Sequence, residues 1–413
     1  MSQPVVAAPA VTSRTALAFV LVTVFLDMAG FGIMLPVFPK LVLALQSGDV
    51  ARAATTTGLF ISVWAAMQFL CSPLVGSLSD RFGRRRIIIL SNVGVGLDYL
   101  LMAAAPSLPW LFAGRLISGM TSSTVATAGA YIADVTAAEE RAARFGMLGA
   151  ACGLGFILGP MLGGVLGGVG LRVPFWTAAA LSLANAAYGY FVLPESLPAE
   201  RRGPVRWRSA NPIGAVGLLR SHADLAALAT VGYLATLAYD AAPTTFVLYA
   251  TDRYSWNERT VGLVMGTLAL AALMVQGLLV GRVVAALGER RALAIGLACG
   301  ATGMAIYGLA PSGSVFLAGI PFTAVYGLSH PSLQSLMARW VAPTEQGRLQ
   351  GAQGSLTGIA GTVAPILFNQ TLALAIGRWR DLGLPGAPFL LASALYLVAL
   401  VIATGRARGQ SFA

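Results

Sequence analysis

Charge is what this 413-residue chain has least of: charged side chains make up 10% of it, sixteen residues are acidic, three are cysteine and two are histidine. That scarcity excludes several classes. A chain that is 57% hydrophobic has too little polar surface to coat a soluble globule, so it reads as an integral membrane protein. Cys71, Cys152 and Cys299 each stand in an apolar run without pairing or metal-ligand spacing, which indicates neither a disulfide framework nor a zinc site. No Ser/His/Asp set, metal constellation or Walker loop supports a membrane-embedded enzyme, and no polar stretch is long enough for a sizeable soluble domain.

What is present is a succession of apolar runs of the length a bilayer demands, roughly 20 residues each. The 48 glycines do not argue for disorder, because glycine and proline are common in membrane helices. The expected fold class is all-α, with spans at 15–38, 56–78, 87–105, 110–133, 145–167, 174–193, 224–247, 260–281, 292–310, 314–337, 349–372 and 386–404. Twelve spans return both termini to one face. The first fourteen residues are not a basic leader and the apolar run after them is too long for a signal sequence, so that run is expected to remain as the first helix. The longest connection, Pro194 to Ala223, carries Glu195, Glu200 and five arginines and reads as a solvated linker. It divides the chain into 1–193, 194–223 and 224–413.

The net charge of +11 comes from arginines spread over loops, not from one patch, which argues for a lipid bilayer as partner and against nucleic acid. Nineteen of the basic residues fall on the face that holds the termini. Seven fall on the other: Lys40, Arg52, Arg172, Arg253, Arg259, Arg378 and Arg380. The positive-inside rule makes the richer face cytoplasmic.

Displacing the chain by 205 residues lays one half on the other without gaps over a long stretch. Gly76 then meets Gly281, Gly83 meets Gly288, Gly114 meets Gly319, Glu140 meets Glu345 and Pro160 meets Pro365. Such a repeat is expected of secondary transporters.

The densest charge lies in Gly76-Ser-Leu-Ser-Asp80-Arg81-Phe-Gly83-Arg84-Arg85-Arg86, which cannot sit in hydrocarbon and must join two spans at the membrane face. The pattern Gly-x-x-x-Asp-Arg-x-Gly-Arg-Arg resembles the loop between helices 2 and 3 of the major facilitator superfamily. The flanks Met67-Gln68, Leu97-Asp98-Tyr99, Gly114-Arg115 and Gly129-Ala-Tyr-Ile-Ala-Asp134 resemble the tetracycline/proton antiporters of that superfamily. Gly155-x-x-x-Gly159-Pro160-x-x-Gly163-Gly164 in the fifth span resembles the motif typical of its antiporters, although small-residue faces also serve plain helix packing. The resemblance implies two pseudo-symmetric six-helix bundles and alternating access, with Gly76, Asp80, Arg81, Gly83, Arg84, Arg85, Gly155, Gly159 and Pro160 in gating. Asp80 is then expected to latch onto helix ends of the opposite half, where a helix N-terminus is positive.

Charges inside spans are costly and usually mark an ion or substrate path. Asp27, Asp98, Arg115, Asp240 and His330 form that set. Asp27 and Asp98 resemble the helix 1 and helix 3 acids of the tetracycline antiporters. An aspartate titrates near 3.9 in water, and burial in hydrocarbon lifts that towards neutrality, where it can load and release protons. Asp98 with Arg115 also reads as a static pair, and His330 as a hydrogen-bonded packing residue. Gln334 in Pro331-x-Leu-Gln334, and Gln68, are the expected substrate contacts by resemblance.

Two departures stand out. The histidine and aspartate that those antiporters carry in helices 8 and 9 are replaced here by Ala272 and Gly300, while Asp240 is added in the seventh span. The reading is therefore a non-enzymatic bacterial inner-membrane exporter of an amphiphilic drug in exchange for protons. By resemblance it needs no resident cofactor, and its substrate is one that can travel as a magnesium chelate. A facilitator or importer of a small metabolite, or a non-transporting membrane sensor, are the alternatives.

Overall fold

The computed structural model describes residues 10–137, 139–198, 200, 202–203, 217–219, 222–342 and 345–405, so most of the linker that the sequence places at 194–223 lies outside the described residues. The described chain is all helix. Backbone groups in hydrocarbon must find partners within their own segment, which a helix alone provides for a single span.

In the first half, α1 (Ala10–Met34), the short α2 (Phe38–Leu45), α3 (Val50–Phe82), α4 (Arg84–Ala104), α5 (Leu108–Thr121), α6 (Thr124–Val135), α7 (Arg141–Gly167) and α8 (Val173–Val192) follow the six expected spans. In the second half, α9 (Ala223–Tyr239), α10 (Ala241–Tyr254), α11 (Glu258–Met274), α12 (Val280–Leu287), α13 (Glu289–Leu309), α14 (Gly313–Ala318), α15 (Ile320–Val325), α16 (Ser329–Ala338), α17 (Gln346–Ile376) and α18 (Ala387–Gly405) fill the other six. Among the described residues, nine segments are long and apolar enough to cross a membrane.

The breaks have local causes. The fourth expected span is cut at Ser122–Ser123 into α5 and α6. The seventh is cut at Asp240, because Pro243 has no N–H for the carbonyl of Tyr239; the Thr244 hydroxyl bonds the next carbonyl, that of Asp240, at 2.6 Å. The tenth contains Pro321 and Pro331 and passes through a 3-10 turn, Tyr326–Leu328. The eighth carries a π-helical stretch, Val275–Leu279, between α11 and α12.

The chain forms two compact units. The first comprises residues 1–35 and 70–210 and the second 36–69 and 211–413. These units differ from the halves expected from the sequence in one segment, 36–69, and the reason is visible within the second unit. A Cβ on Gly58 would stand 2.6 Å from the carbonyl of Pro365 on α17, and the ring of Phe69 fills the space a side chain at Gly358 would need. On α2, the Lys40 ammonium, 8% exposed, donates to the carbonyl of Trp256 and to Glu258 Oε1, each at 3.0 Å. The upper part of α3, itself about 50 Å long at 1.5 Å per residue, thus packs on second-half helices.

Within the first unit, α7 lies on α1 with almost no side chain between them. Cβ atoms on Gly155, Gly159 and Gly163 would fall 2.7, 2.7 and 2.1 Å from α1 backbone oxygens, and one on Gly32 would meet Pro160 at 2.8 Å. The small-residue face of the fifth span is therefore a close helix–helix contact.

Candidate functional site

The signature loop is compact and tied to its own unit. Gly83 takes φ +98°, a conformation open to glycine, and a Cβ there would lie 2.1 Å from Glu195 Oε2. Glu195 sits at this spot because α4 begins at Arg84 with unsatisfied N–H groups. Its Oε1 accepts from the N–H of Arg84 at 2.8 Å and from those of Ser196 and Leu197 at 3.1 and 3.2 Å. Arg84 pairs with Asp80 at 2.6 Å and with Asp134, at the end of α6, at 3.1 Å. Arg85 donates to the carbonyl of Tyr190 and stands over its ring. Arg81 is exposed beside the ring of Phe82, and a Cβ on Gly76 would meet nothing. Asp80 is thus paired with Arg84 on its own loop, its side chain 56% exposed.

One relation that the 205-residue repeat contains was missed from the sequence. Residues 84 and 134 superpose on 289 and 339. In the second unit Glu289 accepts from Arg339 at 2.6 Å and from the Ser335 hydroxyl at 2.8 Å. The clasp is kept in both halves with its charges exchanged. Gly288, like Gly83, opens the following helix with positive φ, +78°. Before α7, which starts at Arg141, Thr136 ends α6 in an extended conformation and its carbonyl accepts from Arg141, while Glu140 pairs with Arg144 at 3.0 Å.

Glycine at position 83 carries a measurable consequence. Gly83→Ala forces an L-residue into the left-handed region and pushes a methyl into Glu195, with an expected loss of about 1–3 kcal/mol. Thermal unfolding in detergent should show it. Adding Glu195→Ala removes the collision but not the backbone strain, so recovery should be partial; full recovery would mean that the backbone conformation is not strained.

The intramembrane polar residues divide between the two units. In the first, Asp98 on α4 is fully buried and paired with Arg115 on α5, itself 3% exposed, with Ser118 nearby. Gly114 makes room for this pair, since a Cβ there would stand 2.5 Å from Asp98 Oδ1. Asp27 on α1 has no ion-pair partner among the described residues; its neighbours are Thr124, Tyr99 and Cys152. Above it the buried amide of Asn185 ties α8 to the carbonyl of Thr23 and to Asn92, each at 3.3 Å.

In the second unit an open cleft is lined by Thr236, Tyr326, His330, Gln334, Gln353 and Thr357 among others. His330 and Gln334 are therefore brought together, one turn apart on α16. Gln68 lies apart from this cleft, beside Phe69 on α3. Asp240 stands at the break between α9 and α10, four residues after Thr236 and outside the cleft's lining residues, and its carboxylate has no ion pair or hydrogen bond among the described residues. Three tyrosines lie in its neighbourhood, Tyr239, Tyr326 and Tyr396. Tyr239 stacks on Tyr326 at 5.4 Å and Tyr326 tilts against Tyr396 at 4.9 Å. Gly300, where the resemblance expects an acid, faces the same rings, its Cβ position 3.2 Å from Tyr396 and 3.3 Å from Tyr326. The tyrosine cluster was not foreseen; its members are 87 and 70 residues apart, and no periodicity links them.

Comparisons with known proteins agree with this architecture. The family model "Major Facilitator Superfamily" matches residues 18–365 and 228–410. The tetracycline resistance protein of class C from Escherichia coli is 35% identical over 94% of this chain and 96% of its own length, and that of class G from Vibrio anguillarum 34% over 94% and 97%. The multidrug resistance protein 2 of Bacillus subtilis is 27% identical over 94% of each chain. Among solved structures, the human organic anion transporter TETRAN superposes with a TM-score of 0.68 at 24% identity over 96% of this chain and all of its own. The nucleoside transporter NupG does so with 0.75 at 14% over 96% of this chain and all of its own. With twelve expected spans, a complete signature loop and relatives of this length and identity, the chain belongs to the major facilitator superfamily.

Proposed function

We propose that this transporter exports a drug-like amphiphile, a tetracycline-type antibiotic first among the candidates, in exchange for protons by alternating access. The observation that carries the reading is the pair of carboxylates, Asp27 and Asp240, placed inside membrane helices without an ionic partner among the described residues. An unpaired carboxylate in hydrocarbon is costly to keep, and proton loading is the chemistry that makes it useful. The names of the relatives, tetracycline resistance proteins, support the substrate class.

Asp27 and Asp240 exchange the protons, Asp98 is held by Arg115 and released when the pair separates, and His330 contributes from the second-half cleft. Asp240 replaces the acid missing at Gly300, a reading supported by the two tyrosines that both positions share. Gln334 and Gln68 contact substrate. The two six-helix halves, 1–193 and 224–413, move about the linker, with Asp80 and the glycine–proline face of α7 in gating. The charge bias supports a cytoplasmic position for the signature loop and both termini, and the bacterial sources of the relatives support an inner membrane.

The test is tetracycline flux in liposomes under an imposed pH gradient. An exporter of this kind moves tetracycline and protons in opposite directions, and each gradient drives the other flux. Tetracycline movement that ignores the pH gradient would make the protein a facilitator, and no movement would remove tetracycline from its substrates.

A further inference from the structure

We infer that the second unit holds a phospholipid with a zwitterionic, primary-amine headgroup in a second cleft, between the ends of α9, α13, α16 and α18. The inference stands apart from the transport reading above.

The sequence repeat shows why a cleft forms there. The 205-residue shift pairs Arg85 with Arg290, Ile88 with Leu293, Tyr131 with Leu336 and Val135 with Trp340, and all four second-half residues line the cleft. In the first unit the same place is a filled core: Ile88 and Tyr131 are buried together with Leu17, Val20 and Leu193. The chain itself closes that opening, since the Tyr131 hydroxyl donates to the carbonyl of Pro194 at 3.1 Å and Glu195 caps α4. In the second unit leucine stands where that tyrosine stood, and α9 brings Asp224 into the lining. An opening that one copy fills with a phenol and its own chain is lined, in the other, by a shorter side chain and a carboxylate.

The lining is divided by depth. Asp224 and Arg290 stand in the first turns of α9 and α13, and Trp340 just past the end of α16, where an indole suits the headgroup level of a membrane. Further in, the walls are apolar: Leu228, Val231, Leu293, Leu336 and Ile402. Such walls take any hydrocarbon tail, so the rim selects the head. Arg290 suits a phosphate, because a guanidinium matches its geometry, and Asp224 suits an ammonium with N–H groups to donate. Choline has no N–H, and a glycerol head offers the carboxylate only neutral hydroxyls beside a net negative charge. Ethanolamine supplies both partners, amine and phosphate, two carbons apart. A carboxylate accepts at several lone-pair sites and a guanidinium carries five N–H donors, so each can hold a headgroup while keeping contacts within the protein. These helix ends lie on the face that the arginine bias makes cytoplasmic, which draws the lipid from the inner leaflet.

The experiment is native mass spectrometry of the purified full-length protein, titrated in detergent with dioleoyl phosphatidylethanolamine, phosphatidylcholine or phosphatidylglycerol, and in a fourth arm with inorganic phosphate. One copy of phosphatidylethanolamine should bind about 10-fold more tightly than either other lipid, the scale of one hydrogen bond to a charged group. Asp224→Asn should erase the preference over phosphatidylglycerol, and Arg290→Gln should weaken all three lipids. Leu336→Tyr, which gives the second unit the ring that helps close the first, should lose the tight copy. Equal binding of the three lipids by the parent protein, a preference for phosphatidylglycerol, or a preference for phosphatidylethanolamine that survives Asp224→Asn would each overturn the inference; the first two need no variant to fold. Inorganic phosphate that displaces the lipid, and loses that effect in Arg290→Gln, would overturn it as well, by making the cleft a site for a free anion.

Discussion

Arg115→Gln should be the most destabilising single change in the first unit. Asp98 is fully buried, and removing its guanidinium partner leaves a charge in an apolar interior, which costs about 3–5 kcal/mol. Stabilities of whole domains are about 5–15 kcal/mol, so the variant should melt far below the parent in detergent or fail to accumulate. Asp98→Asn combined with Arg115→Gln removes both charges and leaves two amides able to bond each other and Ser118. Melting should return close to the parent value, because what destabilises the single variant is the orphaned charge. Proton-driven flux should not return with it, since the proposed release of the pair has nothing left to release. A double variant with full coupling would make the pair purely structural, and a single variant that melts as the parent does would show that Asp98 is neutralised by other means.

The second large effect is the converse case, function lost with the fold kept. Asp27 has no ionic partner among the described residues to strand, and an asparagine keeps its size beside Thr124, so Asp27→Asn should change melting by less than about 1 kcal/mol. Tetracycline uptake into inverted vesicles driven by a proton gradient should nevertheless fall to the level of vesicles without the protein. Retained proton-driven uptake would shift the coupling to Asp98, Asp240 and His330. A collapse of melting together with transport would mean that Asp27 holds α1 in place and would leave its proton role unproven.

The parts of this molecule written in contiguous residues were readable before any coordinates. Twelve spans follow from apolar runs, because hydrocarbon imposes a length on each. The loop from Gly76 to Arg86 follows from charges that hydrocarbon cannot hold. The close face of Gly155 and Gly159 was visible as a spacing, although only the structure shows that it meets the backbone of α1. What was not readable depends on residues far apart in sequence. Glu195 caps a helix that starts 111 residues before it, and the tyrosines around Asp240 arrive from three helical segments. The exchanged clasp at Glu289 and Arg339 was within reach of the repeat, since the 205-residue shift pairs both positions with Arg84 and Asp134, but a search for identical residues passes over inverted charges. Lys40 was counted among outer-face loop charges, yet it is nearly enclosed.

That enclosure has a consequence for biosynthesis. Lys40 leaves the ribosome 218 residues ahead of Glu258, and translation at about 5–20 residues per second separates the two by roughly 10–40 s. Through that interval the ammonium lacks Glu258, and a lysine at a membrane face keeps its charge in the headgroup water by extending its stem. The surfaces around Gly58 and Phe69 are likewise made before the α17 residues that will cover them. The hairpin of α2 and upper α3 is thus inserted early and seated late, so its final position is acquired only when the second half of the chain enters the membrane.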